Sequence, residues 1–198
     1  RGWRISSWKG SRRVIAGCRA ALVFESGRAN DAIVTQRSGT GSVTARATGK
    51  AAHAGNNHPD GKNAIWALAR FIDAAQRLTD YARGRTVNVG KITGGIGKNT
   101  VPDKAEAHLD IRFVTTDDGQ ALVKELDEAA QAAARSVEGT GLALEGGVMR
   151  WPLERTEASA ALAARYGECA KAEGLGFAES VLLGGGSDAN TTARHGVP

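Results

Sequence analysis

The chain has 198 residues, 41% hydrophobic and 24% charged, which is enough to bury a core and argues against disorder. Two cysteines, Cys18 and Cys169, exclude a disulfide framework and point to a reducing, cytoplasmic setting; no apolar run approaches a membrane span, and residues 1–10 lack the apolar stretch of a signal peptide. The net charge of +5 sits at one end, in the arginines and lysines of residues 1–19, so no nucleic-acid-binding surface is expected in the fold itself.

Ala20–Phe24 is a short apolar run ending at Glu25. It reads as a buried strand delivering a carboxylate to a loop, where open α/β sheets bind ligands, although spacing alone favours a solvated loop glutamate. Ser42–Thr48 alternates, with Val43, Ala45 and Ala47 on one face, as a half-buried strand does. The spacing of Ile65, Leu68, Ala69, Ile72 and Ala75 predicts a helix over residues 63–78, after an Asp60-Gly61 turn. Thr86–Ile92 alternates again, with the period slipping near Gly90. Lys104–Phe113 is the clearest strand. Ala105, Ala107, Leu109, Ile111 and Phe113 point one way, and Glu106, His108, Asp110 and Arg112 the other. Thr115 caps a helix running to about Glu138, with Leu122, Val123, Leu126, Ala130, Ala133 and Val137 on its apolar side. Gly139 and Gly141 stop it, and Leu142–Met149 forms a further strand.

That order, strand-helix-strand-strand-helix-strand, predicts an α+β, ferredoxin-like βαββαβ sandwich with a four-stranded antiparallel sheet and both helices on one face. Beyond it, Thr156–Gly174 reads as a helix and Ser180–Leu183 as a short strand entering Gly184-Gly-Gly-Ser-Asp188. Together with residues 12–25 these look like pieces of an α/β domain interrupted by the sandwich. The expected division is residues 1–40 (1–11 an irregular basic tail), 41–150 and 151–198.

Several short motifs carry chemistry. GGIGKNT at 94–100 fails as a phosphate loop, because Ile92 and Asn99 stand where glycine and Ser/Thr are required. His58-Pro-Asp60 imitates a metal-binding pair but lies in a turn, where surface residues are the simpler reading. His53 follows the first sandwich strand among alanines and a glycine, so it is either a functional imidazole or a satisfied strand-end histidine. Arg112, on the face away from the helices, suits a bidentate carboxylate or a pair with Asp110. Gly184–Asp188 offers unobstructed backbone N–H groups, as an anion site or a plain turn would.

Taken in order, ALVFE, GKAAHAG, PDGKNAI, GGIGKNTVPDKAEAHLDIRF and GGGSDAN resemble the dinuclear-zinc amidohydrolases of the aminoacylase, glutamate carboxypeptidase and succinyl-diaminopimelate desuccinylase clan. The resemblance implies that the sandwich is a lid and homodimerisation domain inserted in a zinc-binding α/β domain. It implies Glu25 as a zinc ligand and His53 reaching across the dimer to polarise the scissile carbonyl. Asn99 and Arg112 would hold the substrate carboxylate, with Gly185, Gly186 and Ser187 bordering the same pocket. The substrate would be an N-acyl amino acid or a peptide with a free carboxylate. The clan's His-x-Asp pair, bridging aspartate, Glu-Glu pair and final histidine are not found in this sequence, and Ser26 replaces the proline often found after the ligand glutamate. The expectation is therefore a truncated chain, inactive alone, or a non-catalytic dimerisation and carboxylate-binding module.

Overall fold

The computed structural model describes residues 15, 17–24, 28–180, 182 and 184–198. The basic residues 1–11, Glu25 and Ser26 lie outside them. The elements are β1 (Ala32–Val34), β2 (Gly39–Thr48), β3 (Ala52–His53), α1 (Ala64–Gln76), β4 (Thr86–Gly94), β5 (Thr100–Val101) and β6 (Lys104–Phe113), then α2 (Thr116–Ser136), β7 (Gly141–Arg150), α3 (Glu157–Ala172), β8 (Ala178–Ser180) and α4 (Asp188–Arg194).

Four strands form one antiparallel sheet in the order β4-β6-β2-β7, the connectivity the element order predicts. The alternation of β6 decides which side is covered. Ala105, Ala107, Leu109, Ile111 and Phe113 are all buried against the helices, while the residues between them stay partly exposed. Phe113 lies deepest at one end of the sheet, and a Cβ on Gly39 of β2 or Gly119 of α2 would overlap its ring. Each fully buried Leu, Ile or Phe in this layer stabilises the fold by about 1.5–3 kcal/mol.

Both helices start on side-chain caps. Asn63 Oδ1 accepts from Trp66 N at 2.9 Å, and Thr115 Oγ1 from Asp118 N at 3.1 Å. Helix α2 buries Leu122, Leu126, Ala130 and Ala133 as its spacing predicts, and Gly139 (φ +72°) turns the chain into β7. Helix α1 differs from expectation: it buries Ala64, Ala67, Leu68, Phe71 and Ala75, leaving Ala69 exposed and Ile65 43% exposed. The reason is its place over β4, the edge strand, where no further strand covers that flank. Gln76 Oε1 accepts from the outward-pointing Val89 N at 3.1 Å, which fixes this flank above the edge.

The slip near Gly90 is a real bulge, with the β4–β6 register shifting between Val89 and Lys91. It sets Ile92 opposite Ala107 on the helix side, where it remains 57% exposed.

Outside the sandwich, β1 and β8 pair in parallel, Ala32 with Ala178 through Val34 with Ser180. Thr35 and Arg155 both donate to Glu179, Arg155 Nε at 2.6 Å, which ties β8 to the segments flanking β1 and α3. The chain's crossings into and out of the sandwich pair with each other through Arg37 N–Leu153 O (2.9 Å) and Leu153 N–Arg37 O (3.0 Å). Two expectations need correction. Residues 20–24 are not a strand: no strand among the described residues pairs with them, Leu22 is 63% and Phe24 92% exposed, and Ala21 N bonds to Pro198 O. The last short strand is Ala178–Ser180, displaced toward the N-terminus from residues 180–183, of which 181 and 183 lie outside the described residues. Among the described residues no helix is long and apolar enough to cross a membrane.

Candidate functional site

The face of the sheet opposite the helices is polar, because β2 and β6 send their alternate residues there. Its middle is internally satisfied. Arg46 bridges Glu106 and Glu145, which hold its guanidinium still more firmly protonated, Glu145 contributing most. His108 lies between Glu106 (Nε2–Oε1 2.8 Å) and Thr44 (Nδ1–Oγ1 3.3 Å).

One end of this face carries Arg112. Its Nε and Nη2 donate to the Asp110 carboxylate at 2.7 and 3.0 Å, and Nη1 donates to Gly184 O at 3.2 Å. A guanidinium has five N–H bonds. Three are committed here, which leaves one on each terminal nitrogen of a partly exposed side chain. The pair with Asp110 and the capacity for a carboxylate ligand therefore coexist. Asp110 fixes one edge of the fork, Gly184 O takes one Nη1 N–H, and the remaining N–H on each terminal nitrogen is left for a ligand.

The glycine loop lies over the same end. Gly185 O accepts from Arg37 Nη1 at 3.1 Å, and a Cβ on Gly186 would lie 2.7 Å from Arg150 Cδ. Ser187 is different. It is buried, its Oγ accepts from Ala189 N at 3.1 Å, and its N–H donates to Asn190 Oδ1 at 2.9 Å. Asn190 Nδ2 in turn donates to Trp151 O at 2.8 Å. Ser187 therefore caps α4 and anchors the loop to the end of β7, while Gly184–Gly186 form the exposed part. Trp151 meets Phe113 edge-on at 6.1 Å and carries Arg194 4.7 Å above its ring.

The opposite end of the fold carries His53 and Asn99. They meet through the two-residue ladder of β3 and β5, with His53 opposite Thr100 and Ala54 N bonding Asn99 O at 2.9 Å. The imidazole Nδ1 accepts from two backbone amides, Gly55 N at 3.1 Å and Asn56 N at 3.2 Å. With Nδ1 occupied as an acceptor, Nε2 is the ring nitrogen left to donate from this exposed side chain. β6 runs from Lys104, close after β5, to Arg112, which at about 3.3 Å per residue separates the two ends by roughly 26 Å. The resemblance groups Asn99 with Arg112. Within one chain Asn99 lies beside His53, and Arg112 lies against the glycine loop.

His58 and Asp60 are exposed in a short 3-10 turn. Residues 95–99 form an exposed connection between β4 and β5 with Gly95 at φ +71°, unlike a phosphate loop opening a helix. A cavity of about 390 Å³ opens between β1, α3 and α4, lined mostly by apolar groups such as Val34, Leu162 and Tyr166; of the expected site residues that are described, Ser187 borders it. Arg150 escapes sequence reading. A bulge in the β2–β7 ladder between Thr40 and Gly41 sets it opposite Thr40, which strict alternation along β7 does not predict.

A dinuclear zinc site needs several His, Asp, Glu or Cys ligands per ion. Among the described residues no group of three or more such side chains comes together. Glu25 lies outside them. The described residues do not fit that metal centre.

Comparison with known proteins places these features in context. Residues 35–138 match the family model of the peptidase dimerisation domain, M20_dimer. An 88-residue stretch is 35% identical to indole-3-acetyl-aspartic acid hydrolase of Enterobacter agglomerans, covering 44% of this chain and 20% of that protein. A 94-residue stretch is 31% identical to carboxypeptidase G2 of Pseudomonas sp. (strain RS-16), covering 48% of this chain and 23% of that protein. The fold superposes on aminopeptidase PepT of Bacillus cereus ATCC 10987 with a TM-score of 0.74 and 27% identity, over 91% of this chain and 47% of that one. The chain thus matches between a fifth and a quarter of the length of those curated relatives and under half of that solved structure.

Proposed function

This chain belongs to the peptidase dimerisation domain family, and from that premise we propose that it forms the lid of a hydrolase cleaving the amide between an acyl or peptidyl group and an amino acid with a free carboxylate. Residues 41–150 are the lid, and residues 1–40 and 151–198 are parts of the catalytic α/β domain. The two zinc ions of an intact site belong to this reading, held by residues other than the described ones.

The observation that carries the reading is the pairing of a fixed donor at one end of the lid with a fixed cation at the other. His53, with Nδ1 held by two amides, offers Nε2–H to an oxygen that gains negative charge as the amide carbonyl is attacked. Asn99 stands beside it. Arg112, steadied by Asp110, offers its open edge to the substrate carboxylate. A separation of roughly 26 Å prevents one chain from bringing both to one amide, so His53 and Asn99 act on a substrate held by Arg112 of a second copy.

The homodimer forms through β4. Among the described residues no strand pairs with its outer edge, where Thr79 and Gln76 bond Val87 and Val89, and Ile65 of α1 and Ile92 are exposed beside it at 43% and 57%. The second reading, a dimerisation and carboxylate-binding module without turnover, is favoured by the missing ligand cluster among the described residues. Release of free amino acid from N-acyl amino acids, with and without added zinc, separates the two.

The carboxylate role is tested by NMR titration of the chain with N-acetylalanine and with N-acetylalanine amide. The acid binds and the amide does not, and Arg112→Ala weakens the acid by roughly 10- to 100-fold, the scale of a lost charge-assisted hydrogen bond. Equal binding of acid and amide, or indifference to Arg112→Ala, refutes the assignment.

A further inference from the structure

The Arg112 end of the sheet holds a second guanidinium. On the central strand β2, Thr40 is flanked by Arg112 of β6 on one side and Arg150 of β7 on the other. Cross-strand partners project from the same face of a sheet. The two arginines therefore stand on the polar face, two strand spacings or about 10 Å apart at the backbone. The glycine loop spans both: Gly184 O accepts from Arg112 Nη1 at 3.2 Å, and Gly186 lies against the Arg150 stem, where a Cβ would come within 3.2 Å of Nη1 and 3.3 Å of Nε.

The charges of the pair differ. Arg112 is neutralised by its bidentate bond to Asp110. Arg37, below the loop, is buried and bonded to Gly185 O. Arg150 is half-buried, and among the described residues its side chain makes no hydrogen bond or ion pair. The site thus joins a neutralised, rigid fork that can orient one carboxylate to an adjacent cation whose charge is uncancelled. A ligand with one carboxylate uses the first alone. A ligand with two, on the backbone and side chain of one amino acid, uses both and supplies Arg150 with a counter-charge.

We propose that Arg150 is the specificity-determining residue for a second carboxylate, so that the site selects N-acylated acidic amino acids over neutral ones. The proposal rests on Arg112 as the holder of the first carboxylate, and deepens that reading.

The test compares N-acetylglutamate with N-acetylglutamine, which have the same shape and differ in the second charge, by NMR titration of the 198-residue chain. The wild type binds the glutamate compound roughly 10- to 100-fold more tightly. Arg150→Met keeps the stem that packs on Gly186 and lacks the guanidinium, and in it the ratio of the two affinities falls to about one. Arg150→Lys, which keeps the charge and loses the fork, restores part of the ratio. An unchanged amide spectrum away from the loop confirms that each variant is folded. A wild-type ratio near one overturns the proposal and leaves Arg112 standing, and so does a preference that survives in Arg150→Met. Failure of both ligands to bind, or binding indifferent to Arg112→Ala, overturns the Arg112 reading and this one with it.

Discussion

Replacing Ile92 by glutamate tests the dimer on which the two-ended site depends. Ile92 lies on the edge strand with 57% of its surface exposed. Burying a whole isoleucine stabilises by about 1.5–3 kcal/mol, so covering that exposed fraction is worth about 1–2 kcal/mol per copy. A two-fold interface uses the same residue twice. Loss of both contacts comes to about 2–4 kcal/mol, or a dissociation constant raised roughly 30- to 1,000-fold, and a carboxylate stranded at the interface adds to that. Sedimentation equilibrium over a range of concentrations measures the shift directly. Because Ile92 is at the surface of a single chain, the melting of a dilute monomeric sample should change little, which separates loss of assembly from loss of fold. A wild-type chain that stays monomeric at all concentrations refutes the reasoning, as does an Ile92→Glu chain that dimerises unchanged.

Two further predictions concern the ion pairs that hold the fold. Arg85 is 4% exposed and bonded bidentately to Glu125, with its Nε lacking any partner. Glu125→Gln therefore leaves a buried cation poorly compensated and costs about 2–4 kcal/mol in urea unfolding, below the full buried-pair value because Glu125 is 34% exposed. Arg85→Met with Glu125→Gln recovers most of that loss, and a double variant as unstable as the single one contradicts this account. Glu179 is held down to about 2 from an ordinary 4.5, first by the Arg155 guanidinium and then by the Thr35 hydroxyl. A depressed carboxyl contributes its stability above pH 4.5 and loses it as the pH falls toward 2. Screening at this partly exposed site limits the contribution to about 0.5–1 kcal/mol. Glu179→Gln should accordingly flatten acid destabilisation between pH 4.5 and 2 by that amount, and identical urea midpoints in variant and wild type across that window would count against it.

Alternation and helical spacing were sufficient for the sandwich. β6 begins and ends at the expected residues, and Phe113 and Ile111 are buried on the expected side. The errors share one cause. Ile65 and Ile92 look like core residues in sequence but lie beside an unpaired sheet edge. Phe24 ends an apolar run yet pairs with no strand among the described residues. Apolar periodicity reports that a face is to be covered and is silent on what covers it.

The sequence by itself determined which residue types were available and which way each strand presents them, because side-chain direction along a strand is a local property of period two. Local geometry alone therefore sent Arg112 and Asp110 to the polar face. Tertiary structure decided their company. Asn99 joins His53 through a two-residue ladder too short to leave a pattern, Ser187 turns inward to cap a seven-residue helix, and Arg150 comes beside Arg112 because a bulge shifts the parity of β7. The β3–β5 ladder and the place of Arg150 are contacts between segments distant along the chain, fixed by pairing register and packing, which local residue order does not encode.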